Sequence, residues 1–496
     1  MAVRIVFLCI VCYISKIISQ RRVTGTNKMN LLEKLFKLKE NNTTIRREIY
    51  TGTIIFMTVS YILAVNPDIL ASTGMSRGGL FFVTALAAFA GSLVMGLLAN
   101  SPLALAPAMG LNAFFAYSVV GGLGFSWQFA LFAVVVEGII FFLLSLGSIR
   151  EKIIEAIPLQ LKYAMGAGVG LFITLIAFKN AYIIQDHPAT FLTIQDFFGT
   201  KFHTAGISAI LALAGVLFSA YLMHRNIAAA LLFGILGTWG AGIICQLTGV
   251  YHVDAANGFF SLLPQFSFST FSDSLHGFFN LFGSAFNHHE WINKSGDVRG
   301  FSLLFSADFA VICLAFLFTD FFDTVGTVNG AVVNTPLMKK DGTIPGLKKI
   351  LLADSIATFL GGVMGTSTTT TFAESAVGIN AGARTGLAAV TCAIWFLISL
   401  IAAPIFLSIP GFATAPALII VGFLMIRAVL NIDWNDIAGA VPAYLLITGV
   451  VFTYNISDGL GLGIISYTIL NCRTKGRVNW LLIVISLLFV AKYLCL

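Results

Sequence analysis

The sequence predicts an all-α, polytopic membrane protein, and three observations carry that expectation. Of 496 residues, 58% are hydrophobic and only 10% charged, with a mean hydropathy of +0.92; soluble chains carry about 25% charged residues. Apolar runs of roughly twenty residues, the length that crosses a bilayer as helix, recur from end to end. No stretch is polar enough to build a large soluble domain. Together these exclude a soluble enzyme, a nucleic-acid binder, a disordered hub, a secreted disulfide scaffold and a single-span receptor.

Residues 1–49 form a cytoplasmic N-terminal segment. Within it, 1–28 hold an apolar run, Ile5 to Ile14, between Arg4 and Lys16. No small-residue cleavage site follows, so an upstream-start extension ahead of Met29 is favoured over a signal peptide. Lys34, Lys37, Lys39, Arg46 and Arg47 make 29–47 basic and amphipathic. Apolar spans then fall at 50–71, 80–99, 103–121, 128–148, 163–184, 205–223 and 227–248. After a Phe/Ser-rich extracytoplasmic loop, 251–300, further spans lie at 302–322, 350–365, 368–380, 386–407, 413–431, 437–454 and 457–471. The count is about fourteen, with the run Val478 to Leu496 leaving a fifteenth open.

Basic residues recur in every second connection: Arg150, Lys152 and Lys162; Arg225; Lys339, Lys340, Lys348 and Lys349; Arg384; Arg427; Arg473, Lys475 and Arg477. Positive charge sorts to cytoplasmic loops, so the N-terminus is expected inside and the net charge of +7 is a topology signal. The sequons at Asn42, Asn293 and Asn455 are then mostly chance matches. The one CxxC among seven cysteines, Cys9-Ile10-Val11-Cys12, lies inside the apolar run at 5–14, and the seven histidines form no HExxH; neither metal nor cofactor is expected, and His288-His289 reads as a solvated loop pair.

A weak internal repeat crosses the chain. Gly91-Ser92-Leu93-Val94-Met95-Gly96 precedes Met109-Gly110-Leu111-Asn112-Ala113, and Gly361-Gly362-Val363-Met364-Gly365 precedes Val377-Gly378-Ile379-Asn380-Ala381. The copies lie an odd number of spans apart, so the second enters the membrane inverted, as in secondary transporters with a midplane site. Pro102 and Pro107 interrupt the third span. Thr366-Ser367-Thr368-Thr369-Thr370-Thr371 opens the tenth with residues that favour extended backbone. Extended backbone at membrane depth is tolerated only inside protein or beside a wet cavity. The two segments should meet there, each leading into a half-helix.

Carboxylates inside spans cost at least about 2.5 kcal/mol at the bilayer centre and are the sharpest functional signal. Asp320 and Asp323 share one helix face at i,i+3 beside Thr324; two such carboxylates repel unless one holds a proton. Asp354 and Glu374 complete the set. Each has a plainer reading. Thr371-x-x-Glu374 matches a capping box, Asp320 and Asp323 could end a helix in wet loop, Asp354 could be a structural acceptor, and Asn112 could cross-link helices. Glu137 reads as structural or pore-lining, and the abundant phenylalanines as packing. Carboxylates accept N–H bonds and aromatic neighbours suit a flat ring, so a heterocycle such as a nucleobase, or a cation, fits better than an anion.

Four ordered motifs sharpen this: Asn66-Pro67-Asp68-Ile69-Leu70, Ala108-Met109-Gly110-Leu111-Asn112-Ala113-Phe114-Phe115-Ala116-Tyr117, Leu317-Phe318-Thr319-Asp320-Phe321-Phe322-Asp323-Thr324-Val325-Gly326-Thr327, and Gly365-Thr366-Ser367-Thr368-Thr369-Thr370-Thr371-Phe372-Ala373-Glu374-Ser375. From Met29 onward the chain closely resembles the AzgA-like purine permeases of the nucleobase–cation symporter family. Ala108 stands where that family commonly has Gly, and Val377 where it commonly has Ala. The resemblance implies two inverted seven-helix repeats, 50–250 and 301–496, forming a core of spans 1–4 and 8–11 and a gate of spans 5–7 and 12–14. It implies import of adenine, guanine or hypoxanthine with protons across the cell membrane. Asp320 and Glu374 would hold the purine, with Asn112, Gly110, Ala373 and Ser375 shaping the site; Asp323, Asp354 and Thr324 would support it or the proton path. Partners are then purine, proton and lipid bilayer, with no nucleic acid; a homodimer is one open assembly. The alternative within transport is an anion or carboxylate carrier on the same scaffold. An intramembrane aspartyl protease on Asp320 and Asp354 lacks the Gly-x-Gly-Asp such enzymes carry.

Overall fold

Backbone amides that leave water must bond within their own segment, so apolar runs rich in Leu, Ala and Phe become helices. The computed structural model describes residues 31–146, 158–472 with short omissions (189, 255–257, 265–267, and parts of 293–299 and 333–343), 478 and 480–494. The extension 1–28, the loop cations Arg150, Lys152, Lys339, Lys340, Arg473, Lys475 and Arg477, and the sequon at Asn293 lie outside the described residues.

The first span is α1, Ile45–Val59, and α2, Ile62–Ala71, joined through a tight turn at Ser60 and Tyr61. Thr44 caps α1 by accepting from the Arg47 amide at 3.3 Å. Next is α3, Arg77–Val94, ending in a π-helical turn, Met95–Ala99. Strand β1, Leu105–Pro107, leads into α4, Met109–Ala113, which continues as π-helix through Phe114–Gly122. Helices α5 (Trp127–Leu146) and α6 (Leu159–Asn180) follow. A surface hairpin, β2 (Ile184–His187) with β3 (Phe191–Ile194), precedes α7 (Ile207–His224) and α8 (Ala230–Leu247).

The segment expected as loop, 251–300, instead contains an amphipathic helix, α9, Phe268–Leu281, and a fully buried Trp291 packed on Phe129 and Phe132. The second half runs through α10 (Ala307–Val332) and α11 (Leu347–Met364) to strand β4 (Thr369–Thr371) and α12 (Ser375–Asn380). Helices α13 (Gly386–Ile398), α14 (Gly411–Ile426), α15 (Ile437–Phe452), α16 (Ile456–Asn471) and α17 (Trp480–Leu494) complete it. Asn455, in the third sequon, is buried and caps α16 through the Ser457 amide at 2.9 Å. Among the described residues, nine helical stretches are long and apolar enough to cross a membrane.

The helices pack in two sets. In one, α5 lies on α11 and α10, α13 on α1 and α3, and α9 on α3. In the other, α6 lies on α14 and α15, α15 on α16, and α7 on α8 and α14. At the centre of the first set the two interrupted spans cross. Strands β1 and β4 pair antiparallel, Leu105 with Thr371, Ala106 with Thr370 and Pro107 with Thr369, all buried. Two further bonds extend the pairing: the Ala108 amide donates to the Thr368 carbonyl (2.9 Å) and the Phe372 amide to the Ala104 carbonyl (3.0 Å). Each segment thus finds in the other the partners its own interrupted helix lacks.

Two glycines from the internal repeat permit this crossing. A Cβ on Gly361 would stand 2.6 Å from Thr369 Oγ1 and 3.0 Å from the Ser367 carbonyl; one on Gly91 would stand 3.0 Å from the Leu105 Cβ. Polar side chains back both strands. Ser92 Oγ takes the Leu105 amide (2.9 Å) and donates to the Leu105 carbonyl (3.0 Å), while Thr358 donates to the Thr369 carbonyl (3.1 Å).

Candidate functional site: a cavity between the two helix sets

The half-helices that leave the crossing point their first residues at a cavity lying against α6 and α14. It has two lobes of about 530 and 590 Å³, which share Gly110, Asp323, Thr327, Ala373, Leu424 and Met425. That is the size range of small-molecule sites. The first helix set supplies the polar wall: Asp323 and Thr327 from α10, Gly110 from α4, and Ala373 and Glu374 from the turn before α12. The facing wall is largely apolar, with Val169 from α6 and Leu424 and Met425 from α14, and it also carries Lys162 from α6 and Arg427 beyond the end of α14.

Glu374 occupies the N-cap position of α12, yet its side chain makes no capping bond. Its Oε1 instead accepts from the Tyr61 hydroxyl at 2.7 Å, so the capping-box reading gives way to an interaction with the first span. Thr327 and Thr371 join hydroxyls at 2.6 Å beside it. Behind the strands, three carboxylates lie fully buried, each beside a threonine hydroxyl: Thr368 donates to Glu137 (2.8 Å), Thr324 to Asp354 (2.6 Å), and Thr358 shares its one proton between Asp320 (3.2 Å) and the Thr369 carbonyl (3.1 Å). Burying a polar group without a partner costs at least about 1–3 kcal/mol, and the threonines offset this. Among the described residues, no group of three or more His, Cys, Asp or Glu is placed to hold a metal ion.

Residues 46–461, most of the chain, match the model of the permease family. The chain belongs to the permease family. The guanine/hypoxanthine permease PbuO of Bacillus subtilis is 38% identical over 465 residues, 92% of this chain and 98% of the relative. The adenine permease AdeP of Escherichia coli is 35% identical over 477 residues, 96% and 98% of the two chains. The transmembrane domain of the cyanobacterial bicarbonate transporter BicA superposes with a TM-score of 0.54 at 16% identity, covering 84% of this chain and 97% of that one; this shows a shared fold, built of inverted repeats. The motif resemblance to AzgA-like purine permeases agrees with these relatives. The protein is a multi-pass membrane permease and not an enzyme, which removes the protease reading.

Within this permease the expected site residues separate into two layers. Gly110, Ala373, Glu374 and Asp323 line the cavity. Asp320, expected to hold the ligand, is fully buried behind the strands beside Glu137 and Thr358. An i,i+3 pair is offset by about 60° around a helix, and here that offset turns Asp323 to the cavity and Asp320 to the protein interior. Asn112 is also fully buried; its Oδ1 receives the Ser367 hydroxyl, tying the third span to the threonine run. Ser375 Oγ accepts the Ala104 amide at 3.0 Å, and Thr324 bridges Asp354 and Thr370. Two cavity residues, Thr58 and Tyr61, carry no sequence signal of their own, because they sit in an apolar run where such residues ordinarily pack. Phe372, within the fourth motif, reads as packing in the sequence and lines the cavity.

Proposed function

We propose that this permease imports purine nucleobases together with protons across the cell membrane. The observation that carries the reading is the cavity wall itself. Two carboxylates, Asp323 and Glu374, border one small-molecule space with Phe372 and Tyr61 nearby and a largely apolar wall opposite. Carboxylates accept N–H donors, and a flat heterocycle fits between apolar and aromatic surfaces. Relatives alike over more than nine-tenths of their length are named as permeases of guanine, hypoxanthine and adenine.

In this reading Glu374 and Asp323 accept purine N–H groups, and Gly110 and Ala373 let the ring approach the backbone. Asp320, Asn112 and Ser375 shape that wall from behind, and Asp354 with Thr324 supports α10. A proton rides on the α10 carboxylates, since a purine and a negatively charged pair cannot cross together at low cost. The first helix set is the core, spans 1–4 and 8–11 of fourteen, and the second is the gate. The core carries ligand past the gate, and the N-terminus stays cytoplasmic.

The test is uptake of labelled hypoxanthine, guanine and adenine by cells lacking their own purine carriers, with and without a protonophore. Accumulation that a protonophore abolishes, and that Glu374→Gln severely reduces, is expected. Uptake of none of the three removes the substrate class; accumulation insensitive to the protonophore removes proton coupling. Improved anion uptake by Glu374→Gln would favour a carboxylate or anion carrier instead.

A further inference from the structure

The first span breaks at the depth of the cavity. The Ser60 amide still bonds back to Phe56, but the next contacts tighten, Leu63 to Ser60 and Ala64 to Tyr61, each at 3.1 Å. Tyr61 sits at that break, 1% exposed, with its ring 6.4 Å from Phe372. Its hydroxyl donates to Glu374 Oε1 at 2.7 Å across 313 residues of chain. One turn earlier Thr58 reaches the Glu374 carbonyl at 3.5 Å. A Cβ on Gly378 would meet Ile55 Cγ1 at 2.2 Å, so α1 and α12 are in direct contact. The cavity glutamate is therefore held through its carboxylate from a helix other than its own.

A free glutamate samples several rotamers and offers both oxygens to any donor. Here one oxygen is occupied by a buried phenol, which selects a single arrangement and leaves Oε2 as the remaining acceptor. Hydrogen bonds to ionised groups are worth more than neutral ones, and fixing an acceptor in advance lowers the ordering cost of ligand binding. We propose that Tyr61 is a positioning residue for purine recognition: its hydroxyl fixes the Glu374 carboxylate so that Oε2 faces a purine N–H. This rests on the purine reading above and names how one contact of that site is set.

The experiment compares wild type, Tyr61→Phe and Glu374→Gln in whole cells. The best-transported purine is tested against a competition panel of its own N-methyl derivatives, each lacking a different N–H. For the parent purine, Tyr61→Phe should raise the KM about tenfold, roughly 1.4 kcal/mol, with maximal rate nearly unchanged. The N-methyl derivatives insensitive to Glu374→Gln should be the same ones insensitive to Tyr61→Phe. A purely structural tyrosine would weaken every compound alike, and that uniform loss overturns the proposal. So does an unchanged KM in Tyr61→Phe while Glu374→Gln is impaired, which leaves the purine reading standing. If Glu374→Gln itself leaves purine affinity intact, or wild type transports no purine, both fall. Tyr61→Leu, which also removes the donor, must reproduce the pattern and serves if Tyr61→Phe does not reach the membrane.

Discussion

Glu48 offers the most direct test of how the two halves of the chain are fastened. It lies in the first turn of α1 and is fully buried. Its Oε1 accepts from the Thr43 hydroxyl (2.7 Å) and the Arg384 amide (2.9 Å), and its Oε2 from the Thr385 amide (3.1 Å). The next amide, Gly386, donates to Asn100 Oδ1 at 2.9 Å. The amides leading into α13 are thus satisfied by side chains from distant spans, while Thr385 caps the helix locally by accepting from the Leu387 amide at 3.4 Å. Glu48→Ala strands three donors in a buried place. Bonds to a charged acceptor are each worth about 1.5–3 kcal/mol and are not additive, so a total near 3–5 kcal/mol is expected, as for a broken buried ionic contact. Unfolding entropy scaled to a chain of this length gives roughly 1 °C per kcal/mol. Thermal unfolding in detergent, followed by tryptophan fluorescence, should show the apparent Tm falling by about 3–5 °C. Glu48→Gln, which keeps one acceptor oxygen, should fall about half as far. Glu40→Ala, which removes an exposed pair with Lys37, should not shift it measurably. A Glu48→Ala protein that unfolds within a degree of wild type would refute the reasoning.

Three further outcomes follow from the packing. Gly361→Ala places a methyl 2.6 Å from Thr369 Oγ1; the crossing must separate, costing about 1–3 kcal/mol, and uptake at matched expression should be largely lost. Trp291→Ala removes a buried indole from between Phe129 and Phe132 and should cost about 3–5 kcal/mol, read as a lowered unfolding temperature. Arg77 Nη2 contacts Asp68 Oδ1 (3.2 Å) and the Ile409 carbonyl (2.6 Å), while Thr414 donates to Asp68 Oδ2 (3.0 Å). Asp68→Asn and Thr414→Val should therefore be non-additive in a double-mutant cycle on unfolding temperature, by about 0.5 kcal/mol or more.

Much of this architecture was legible in the residues, for reasons that differ element by element. Composition alone implies a membrane chain, because water and lipid sort side chains strongly. The proline breaks and the threonine run mark β1 and β4, since neither suits an unbroken helix. The carboxylates stand out because hydrocarbon penalises them. Helix phase was not legible in α10. A span surrounded by apolar neighbours on all sides shows no polar stripe to orient it, so nothing distinguished Asp323 on the cavity from Asp320 behind it. Tyr61 was equally silent, because a tyrosine in an apolar run reads as packing until a contact 313 residues away is known. Glu48 carries no signal of its own in the sequence, because its role depends on backbone amides at 384 and 385. The helix α9 and the buried Trp291 were missed because the segment's serines and phenylalanines suggested a loop.

The threonine run explains why the site has two layers. In an extended segment alternate side chains face opposite ways. Thr368 and Thr370 point to the carboxylate layer, where one bonds Glu137 and the other Thr324, itself bonded to Asp354. Thr371, on the alternate phase, reaches the cavity and bonds Thr327. Serine at these positions would supply the same hydroxyls but lose the β-branching that favours extended backbone; valine would keep the shape and strand the acids. Threonine alone meets both demands, so one short run both crosses β1 and couples the buried acids to the wall that faces the ligand. In the proposed reading, movement of a ligand against Glu374 would be connected, through two residues of strand, to Thr324 and Asp354.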